Sequence, residues 1–294
     1  MLDYHLHLWP HSQTDTPLAL DQVAAYCERA QQAGVVEVAL TEHLFRFVQA
    51  DRLLGGFWED DEVPERLRGS MADYWRFHVG ADLDRYVETV LEAKRQGLPV
   101  VLGLEVDYYR GRMDEVAALL AGYPFDVLLG SVHWVGGWRF DDLDDAVSMA
   151  EWPARRVDDC WDAYTEAFGE LAGTGTCDVL AHPDLIKVAA RVPEHPAEWW
   201  DRLAEVAAAS GMAAEVSSAG WRKPVGEQYP AEGLLARMAA RGVGFTTASD
   251  AHGLSHVADR VGDLRALLAS AGVRRLTAFR RRQAHTLAIA EGTP

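Results

Sequence analysis

The sequence predicts an α/β barrel of alternating strands and helices, and three observations support that prediction. Short apolar runs alternate with longer amphipathic runs along most of the chain. The short runs are apolar on both faces, a pattern typical of buried parallel strands. The amphipathic runs end at glycines, which are common where helices stop. About seven such units follow one another, and right-handed crossovers would close or nearly close them into a barrel.

Seven segments fit the buried strands of this barrel. Each is four to six residues long and mostly apolar. In chain order they span 2–6, 35–40, 100–105, 127–131, 178–181, 212–216 and 243–248. We expect them to run parallel in one sheet, because helices separate them along the chain.

Four helices are delimited by the glycines that follow them. The first spans 18–33 and places Leu20, Val23, Ala24, Cys27 and Ala30 on one side. The others span 82–96, 196–210 and 231–241. Gly34, Gly97, Gly211 and Gly242 stand directly after them, in the position of a helix C-cap.

The stretch between His43 and about Gly80 interrupts the alternation. It has no clear strand but many aromatic residues, namely Phe45, Phe47, Phe57, Trp58, Tyr74, Trp75 and Phe77. Long connections in compact domains are usually lids or binding loops. A helical insert with a small core of its own fits the pattern equally well. No repeat or linker divides the chain, so we expect a single domain over 1–294 with an insert at about 44–80.

The composition is that of a globular protein with a large core. Of its 294 residues, 49% are hydrophobic and 25% charged. The net charge of −17 argues against a nucleic-acid partner, which usually requires a basic surface. We expect the one dense basic run, 280–282, to be a solvated helix face. Metal ions would allow so acidic a protein to bind an anionic substrate.

Cysteine usage and the N-terminus bear on location. The chain has three cysteines and no CxxC pair, which argues against a disulfide framework and favours a reducing cytoplasm. The opening MLDYHLHLWP does not resemble a signal peptide, and no apolar stretch of ~18 residues predicts a membrane span. We therefore expect a cytoplasmic protein with no membrane partner, either a monomer or a small homo-oligomer.

Side chains able to bind metal lie at the end of every predicted strand. In chain order they are His5, His7, His11, Glu42, His43, Glu105, His133, His182, Glu215, Asp250 and His252. Active sites of parallel α/β barrels form at the C-terminal ends of the strands, so we expect these groups to meet on one face. We expect the other four histidines to be ordinary residues: His78, His195, His256 and His285.

Imidazole and carboxylate ligands suit Zn, Mn or Fe(II) better than Mg. Side chains alternate along a strand, so His5 and His7 point the same way and can share one ion. Glu105 has two oxygens and can bridge two ions. Clustered cations would polarise a phosphoryl oxygen and acidify a bound water. No GxSxG motif is present, which disfavours a nucleophilic serine.

The motifs resemble those of a known family. In order they are DYHLHLWPHSQTD, ALTEH, GLEVDY, GSVHW, LAHPDLIK, EVSSAGWRKPVGEQYP and SDAH. Together they resemble the PHP (polymerase and histidinol phosphatase) superfamily, in particular its histidinol-phosphate phosphatase-like branch. The resemblance covers about residues 2 to 265 and implies a distorted (β/α)7 barrel, similar to a TIM barrel, with a trinuclear metal site.

The resemblance also implies roles for individual residues. The first of three divalent ions (Zn, Mn or Fe) would be held by His5, His7, Glu105 and Asp250. The second would be held by Glu105, His133 and His182, and the third by His11, His43 and His252. Lys187 and Arg222 match basic positions that face the substrate phosphate.

We accordingly expect a metal-dependent phosphomonoester hydrolase, similar to the histidinol-phosphate phosphatases of histidine biosynthesis. Its partner would be a small phosphorylated metabolite. A hydroxide bridging two ions would attack phosphorus, with Asp250 accepting the proton of the water or His252 acting as the shuttle. An active-site acid or a metal-bound water would protonate the leaving alcohol.

The residues leave two alternatives open. Trp9, Ser12 and the LFRF that follows ALTEH depart from the family pattern around the expected substrate mouth. The substrate could then be another small phosphoester, such as a nucleotide, a cyclic phosphodiester or an intermediate of specialised metabolism, stacked on Trp58 or Trp75. A non-catalytic or polymerase-associated metal-binding module is the second alternative, although no ligand position is missing.

Overall fold

The computed structural model describes residues 1–12, 14–59 and 62–290. Its central sheet has seven strands in the order β1-β2-β3-β4-β7-β8-β9, and every neighbouring pair is parallel. Two further pairs, β5-β6 and β10-β11, are antiparallel. The strands are β1 (Leu2–Leu6), β2 (Glu37–Leu40), β3 (Val100–Asp107), β4 (Val127–Ser131), β5 (Trp134–Val135), β6 (Trp138–Arg139), β7 (Val179–Leu180), β8 (Ala213–Ser217), β9 (Phe245–Ala248), β10 (Arg275–Arg280) and β11 (Gln283–Ala288).

Helices separate the strands of the sheet along the chain. They are α1 (Leu20–Gln32), α2 (Val48–Leu54), α3 (Glu65–His78), α4 (Leu83–Arg95), α5 (Met113–Leu120), α6 (Ala146–Ala154), α7 (Val157–Gly173), α8 (Ala197–Ser210), α9 (Glu232–Ala240) and α10 (Val261–Ser270). The four helices delimited by glycines in the sequence are confirmed as α1, α4, α8 and α9. Gly34 and Gly211 adopt φ values of 80° and 72°, which glycine reaches without the steric cost of a Cβ. Among the described residues, none of the helices has the length and apolar character needed to cross a bilayer.

The sheet curls until its two edge strands meet. Leu6 and Ala251 form a parallel bridge beyond β9, and the His7 amide donates to the Ala251 carbonyl at 2.8 Å. The Thr247 hydroxyl donates to the Leu2 carbonyl at 2.7 Å. The predicted barrel is therefore confirmed in its nearly closed form, with all strand C-termini at one end.

A buried aspartate fixes the loop that follows β9. The carboxylate of Asp3 accepts hydrogen bonds from the Ser249 amide and hydroxyl, both at 2.7 Å, and from the Ala258 amide at 2.8 Å. Burial raises the pKa of Asp3 to about 6, although these hydrogen bonds act in the opposite direction. Because the loop carries Asp250 and His252, Asp3 couples the first strand to the last ligand-bearing turn.

The insert is helical and has an aromatic core. Helices α2 and α3 occupy most of it, and Trp75 of α3 lies 5.3 Å from Trp58 and 5.7 Å from Phe57 between ring centroids. The Phe57 ring also packs 5.1 Å from that of Trp134, next to the metal-competent His133. The alternative of a helical insert with its own core is thus the one observed.

The C-terminal region differs from its prediction. The run 280–282 was expected on a helix face, but it forms the end of β10 and the turn into β11. The Arg280 guanidinium pairs with Glu37, and that of Arg282 pairs with Asp178. Most of β11 is exposed, so its sequence lacks the apolar alternation that would have predicted a strand.

Candidate metal centre

Ligands from opposite sides of the barrel converge at its C-terminal end. Among the described residues, four groups of three side chains could each hold a metal ion. Within each group the ligand atoms lie within 4.8 Å of one another, and the groups share members. The groups are His5, His7 and Asp250; His5, Glu105 and His182; His7, His43 and His252; and His43, Asp107 and His133. One continuous cluster therefore links the ends of six strands of the barrel.

Glu105 lies at the centre of this cluster. Its Oε2 atom is 3.1 Å from His5 Nε2 and 2.8 Å from His43 Nδ1. Its Oε1 atom is 3.1 Å from His182 Nε2 and 3.3 Å from His133 Nε2. The two oxygens thus face different pairs of imidazoles, which is the arrangement a carboxylate needs in order to bridge two cations.

The cluster contains buried polar atoms that the described residues leave without a hydrogen bond. They include His5 Nε2, His7 Nε2, His43 Nδ1, His252 Nε2 and Glu105 Oε2. Buried polar atoms are rarely left unpaired, because desolvation then goes uncompensated. Nitrogen and carboxylate donors turned toward a common space suit divalent cations such as Zn, Mn or Fe(II), so the residues present fit such ions.

Carboxylates also lie behind the imidazoles. His5 Nδ1 donates to Glu215 Oε2 at 2.7 Å, and His133 Nδ1 donates to Asp107 Oδ1 at 2.5 Å. Glu42 Oε2 lies 3.7 Å from His7 Nδ1. The hydrogen-bonded carboxylates of Glu215 and Asp107 orient these imidazoles and leave the other ring nitrogen free for an ion. Asp107 was missed in the sequence, although it lies two residues after Glu105 and so on the same face of the strand.

The electrostatics favour ionised carboxylates in the cluster. Burial alone would raise the pKa of Glu105 and of Asp250, but neighbouring imidazoles outweigh it and hold both pKa values well below the ordinary range. Burial lowers the pKa of His133, yet Glu105 and Asp107 together raise it to about 10. The same concentration of negative charge would attract a divalent cation.

For three other histidines of the site, burial determines the direction of the pKa shift. It lowers the pKa of His11, His43 and His252 well below the ordinary value, and neighbouring charged groups add to the effect at His11. These imidazoles are therefore neutral near pH 7. Neutral imidazole is the form that binds metal.

Two turns that carry ligands have unusual backbones. His182 has φ 27° and Asp250 has φ 50°, in the left-handed region that residues other than glycine rarely adopt. Such conformations cost roughly 1–3 kcal/mol each and tend to occur where a site requires them. The fold therefore holds both side chains in the cluster at some cost in stability.

The insert supports the loop that carries His11. His11 Nε2 lies 3.3 Å from His43 Nε2, and the His78 imidazole hydrogen-bonds the His11 carbonyl at 3.1 Å. The buried Arg46 donates to the Pro10 carbonyl at 3.1 Å. His78 was expected to be ordinary, but it packs against a candidate ligand through a contact that only the tertiary structure creates.

A cavity in two adjoining chambers opens over the cluster. The inner chamber has a volume of about 580 Å³ and the outer chamber about 540 Å³, sizes suited to a small metabolite. The inner chamber reaches His43, His182, Asp250 and His252. Six of the described residues line both chambers: His11, Tyr74, His133, Asp141, Arg222 and Lys223.

Lys187, one of the two basic residues expected at the phosphate, lies outside this lining. Its ammonium is buried and donates to Glu227 Oε1 at 2.7 Å and to the Gln228 carbonyl at 2.8 Å. Asp184 Oδ2 lies 3.0 Å from the same nitrogen. The structure thus places Lys187 in a buried ion-pair network behind the cavity wall.

Arg222, the other expected residue, does line both chambers. Its Nη2 atom donates to the carbonyls of Ser249 and Asp250 at 2.6 and 3.1 Å, and its Nη1 atom donates to Asp259 at 2.8 Å. Arg222 therefore braces the turn that carries Asp250. The neighbouring Lys223 is exposed, and its ammonium makes no hydrogen bond or ion pair with the described residues, so it is freer than the Arg222 guanidinium to bind a phosphate.

Some of the residues that depart from the family pattern lie in the protein core, and others lie at the mouth of the cavity. Trp9 is buried and donates to the Pro17 carbonyl at 2.7 Å, so it is not at the mouth. Ser12 does line the outer chamber. Trp58 and Trp75 are buried in the insert and line neither chamber, so they offer no platform for a stacked base.

Known proteins share this sequence pattern and this fold. The PHP domain family matches residues 3–219. A curated protein of Deinococcus radiodurans named "Probable histidinol-phosphatase" is 31% identical over 288 residues, covering 96% of this chain and 98% of its own length.

Two solved structures are similar in fold. A histidinol phosphate phosphatase from Lactococcus lactis, complexed with zinc, L-histidinol and phosphate, superposes with a TM-score of 0.69 at 17% identity, covering 97% of this chain and 98% of that one. A histidinol phosphatase candidate from Listeria monocytogenes gives a TM-score of 0.71 at 17% identity, covering 90% and 99%. At these identities the likeness supports the predicted barrel fold.

Proposed function

The chain belongs to the PHP domain family, and we propose that it hydrolyses L-histidinol phosphate to the free alcohol and inorganic phosphate. The chain is a metal-dependent phosphatase, a phosphoric monoester hydrolase. The observation that carries the proposal is Glu105, whose two oxygens face separate pairs of imidazoles beneath the cavity. The Deinococcus relative, similar over nearly its whole length, supports the choice of substrate.

We propose that the cluster holds three divalent cations, of Zn, Mn or Fe. Their ligands would be His5, His7, Glu105 and Asp250 for the first, Glu105, His133 and His182 for the second, and His11, His43 and His252 for the third. When bound, such ions polarise phosphoryl oxygens and lower the pKa of water. The orphaned nitrogen and oxygen atoms of the cluster support this ligand set.

Asp250 is our candidate for the proton acceptor. Its Oδ1 atom lies 3.5 Å from His7 Nε2 and 3.6 Å from His252 Nδ1, which leaves Oδ2 to accept a proton from the attacking water. Asp250 borders the inner chamber, and Arg222 and the contact between Asp3 and Ser249 hold its turn in place. His252, which borders the same chamber, is the alternative shuttle.

The phosphate needs cationic partners on the side away from the metal cluster. Arg222 and Lys223 supply positive charge in the cavity wall, and we propose that the phosphate binds on this side. A direct contact between the phosphate and Lys187 stays a prediction. The Lys187 ammonium already donates to Glu227 and to the Gln228 carbonyl, so it would have to give up these bonds to reach the phosphate. Lys187 would support the phosphate indirectly by holding the segment next to Tyr229.

A substrate panel tests the proposal. The purified protein, loaded in turn with Zn, Mn and Fe(II), is assayed on L-histidinol phosphate, propyl phosphate, a nucleoside monophosphate and a phosphodiester. We expect the highest kcat/KM on L-histidinol phosphate and bound metal detectable by elemental analysis. A higher kcat/KM on the nucleotide or the diester would show that the substrate is a different phosphoester. A fully metal-loaded protein that is inactive on all four compounds would contradict the phosphatase assignment.

A further inference from the structure

Asp141 occupies the junction between the two chambers. It follows β6, lines both chambers, and is the one residue of the acidic segment 141–145 that reaches the inner chamber. Two nearby aspartates of the same segment bind groups outside the cavity junction. Asp142 pairs with Arg139, and Asp145 caps α6 by accepting from the Ser148 amide at 2.9 Å.

The Asp141 carboxyl group is half-buried and has no hydrogen bond or ion pair within the part of the chain that the structure describes. Burial, assisted by the charge of Asp142, raises its pKa above the ordinary value, while His133, His182 and Lys223 act against the rise. The other titratable groups that interact with it are Tyr74, Asp107, Tyr164 and Tyr229. With no hydrogen-bonding partner of its own in the described chain, this carboxyl group is available to a ligand in the cavity that it lines.

The proposed binding mode places bond cleavage close to this carboxyl group. With the phosphate above the cluster in the inner chamber, as proposed, the alcohol portion would extend toward the outer chamber. The ester oxygen that joins the two would then lie at their junction. An alkyl alcohol leaves poorly as an alkoxide, so a proton delivered to that oxygen lowers the barrier.

Given the phosphatase activity on which this inference rests, we propose that Asp141 is the general acid that protonates the leaving alcohol. As the bond between phosphorus and the ester oxygen breaks, the O–H bond of Asp141 breaks and its proton passes to the ester oxygen. The oxygen of the attacking water forms the new bond to phosphorus, and its proton passes to Asp250. Asp250 then releases its proton to solvent and Asp141 takes one up from solvent, so both side chains return to their starting states and the net reaction consumes one water.

The test varies the leaving group. The Asp141→Asn variant keeps the size of the side chain but cannot donate the proton, and Asp141→Glu restores an acid. The control is Asp159→Asn, at an exposed position of α7 that lines neither chamber. Each protein, with its metal content measured, is assayed on p-nitrophenyl phosphate, propyl phosphate and L-histidinol phosphate across pH.

For Asp141→Asn we expect a loss of about 10²–10⁴ in kcat on the two alkyl esters, the usual contribution of a general acid. Turnover of p-nitrophenyl phosphate should stay nearly unchanged, because p-nitrophenolate leaves without a proton. The decline in kcat at alkaline pH on propyl phosphate should disappear in this variant, and Asp141→Glu should recover part of the rate. Asp159→Asn should match the wild type throughout.

Other outcomes overturn the proposal in distinguishable ways. A loss on L-histidinol phosphate alone would make Asp141 a binding residue for the substrate ammonium. An equal loss on all three esters with reduced metal content would make it a support of the metal cluster. A wild type inactive on every ester would overturn the phosphatase activity itself, whereas an unaffected Asp141→Asn in an active enzyme would overturn only the role of Asp141.

Discussion

Glu105 Oε2 lies 3.1 Å from His5 Nε2, although β2 separates their two strands in the sheet. The contact exists because both side chains point into the barrel at the C-terminal ends of β1 and β3. In a curled sheet, such inward side chains from non-adjacent strands meet across the interior. Glu105 thereby joins ligands from distant parts of the chain into one cluster.

Replacing this carboxylate should dismantle the proposed centre. Glu105→Gln keeps the shape of the side chain but loses the charge that two cations would share, so we expect fewer metal equivalents per chain and activity near background. Elemental analysis and kcat on L-histidinol phosphate measure both. Glu88→Gln, at an exposed position of α4, is the matched control. Full metal content in Glu105→Gln would contradict the bridging role.

Removing the metal should destabilise the fold. Without cations, the cluster leaves buried nitrogen and oxygen atoms uncompensated. We therefore expect treatment with a chelator to lower Tm and abolish activity, and Zn or Mn to restore both. A ligand at 100 times its Kd adds about 2.7 kcal/mol to the free energy of unfolding. Identical melting curves with and without chelator, from protein shown to bind metal, would contradict this account.

Lys187 and Lys223 should behave differently when their charge is removed. Lys187→Met leaves Asp184 and Glu227 without their buried partner, which should cost about 3–5 kcal/mol in the free energy of unfolding. Lys223→Met should leave stability unchanged but weaken product inhibition by inorganic phosphate, because its ammonium borders the cavity. Denaturant unfolding and the phosphate inhibition constant separate the two effects. Weaker phosphate inhibition in a stable Lys187→Met protein would instead support a direct contact.

The three cysteines should be unreactive in the folded protein. All are buried thiols; burial raises the pKa of Cys27 to about 11 and raises the pKa values of Cys160 and Cys177 as well. The folded state thus favours the protonated thiols. This preference lowers the free energy of unfolding only when the pH rises above about 8.5, the pKa of the thiols in the unfolded chain. A thiol reagent at pH 7.5 should label the native chain slowly and all three sites in denaturant. Rapid labelling of the native protein would argue against this burial.

Local sequence was sufficient to predict the barrel and the candidate ligands. Buried strands and the glycines that follow helices depend on residues near one another in the chain, so their patterns are visible without a structure. The ligands follow strand ends, and a parallel barrel brings all such ends to one face. Residues as far apart as His5 and Asp250 could therefore be grouped from their order alone.

The tertiary structure decided what each side chain contacts. Lys187 has the sequence context of a phosphate-binding residue, yet Glu227, forty positions later, neutralises it inside the wall. His78 supports the His11 loop only because the insert folds back over the barrel mouth. Strand and helix patterns follow from local periodicity, whereas ion pairs and cavity walls depend on how distant segments pack. That packing alone placed Asp141 at the junction of the two chambers.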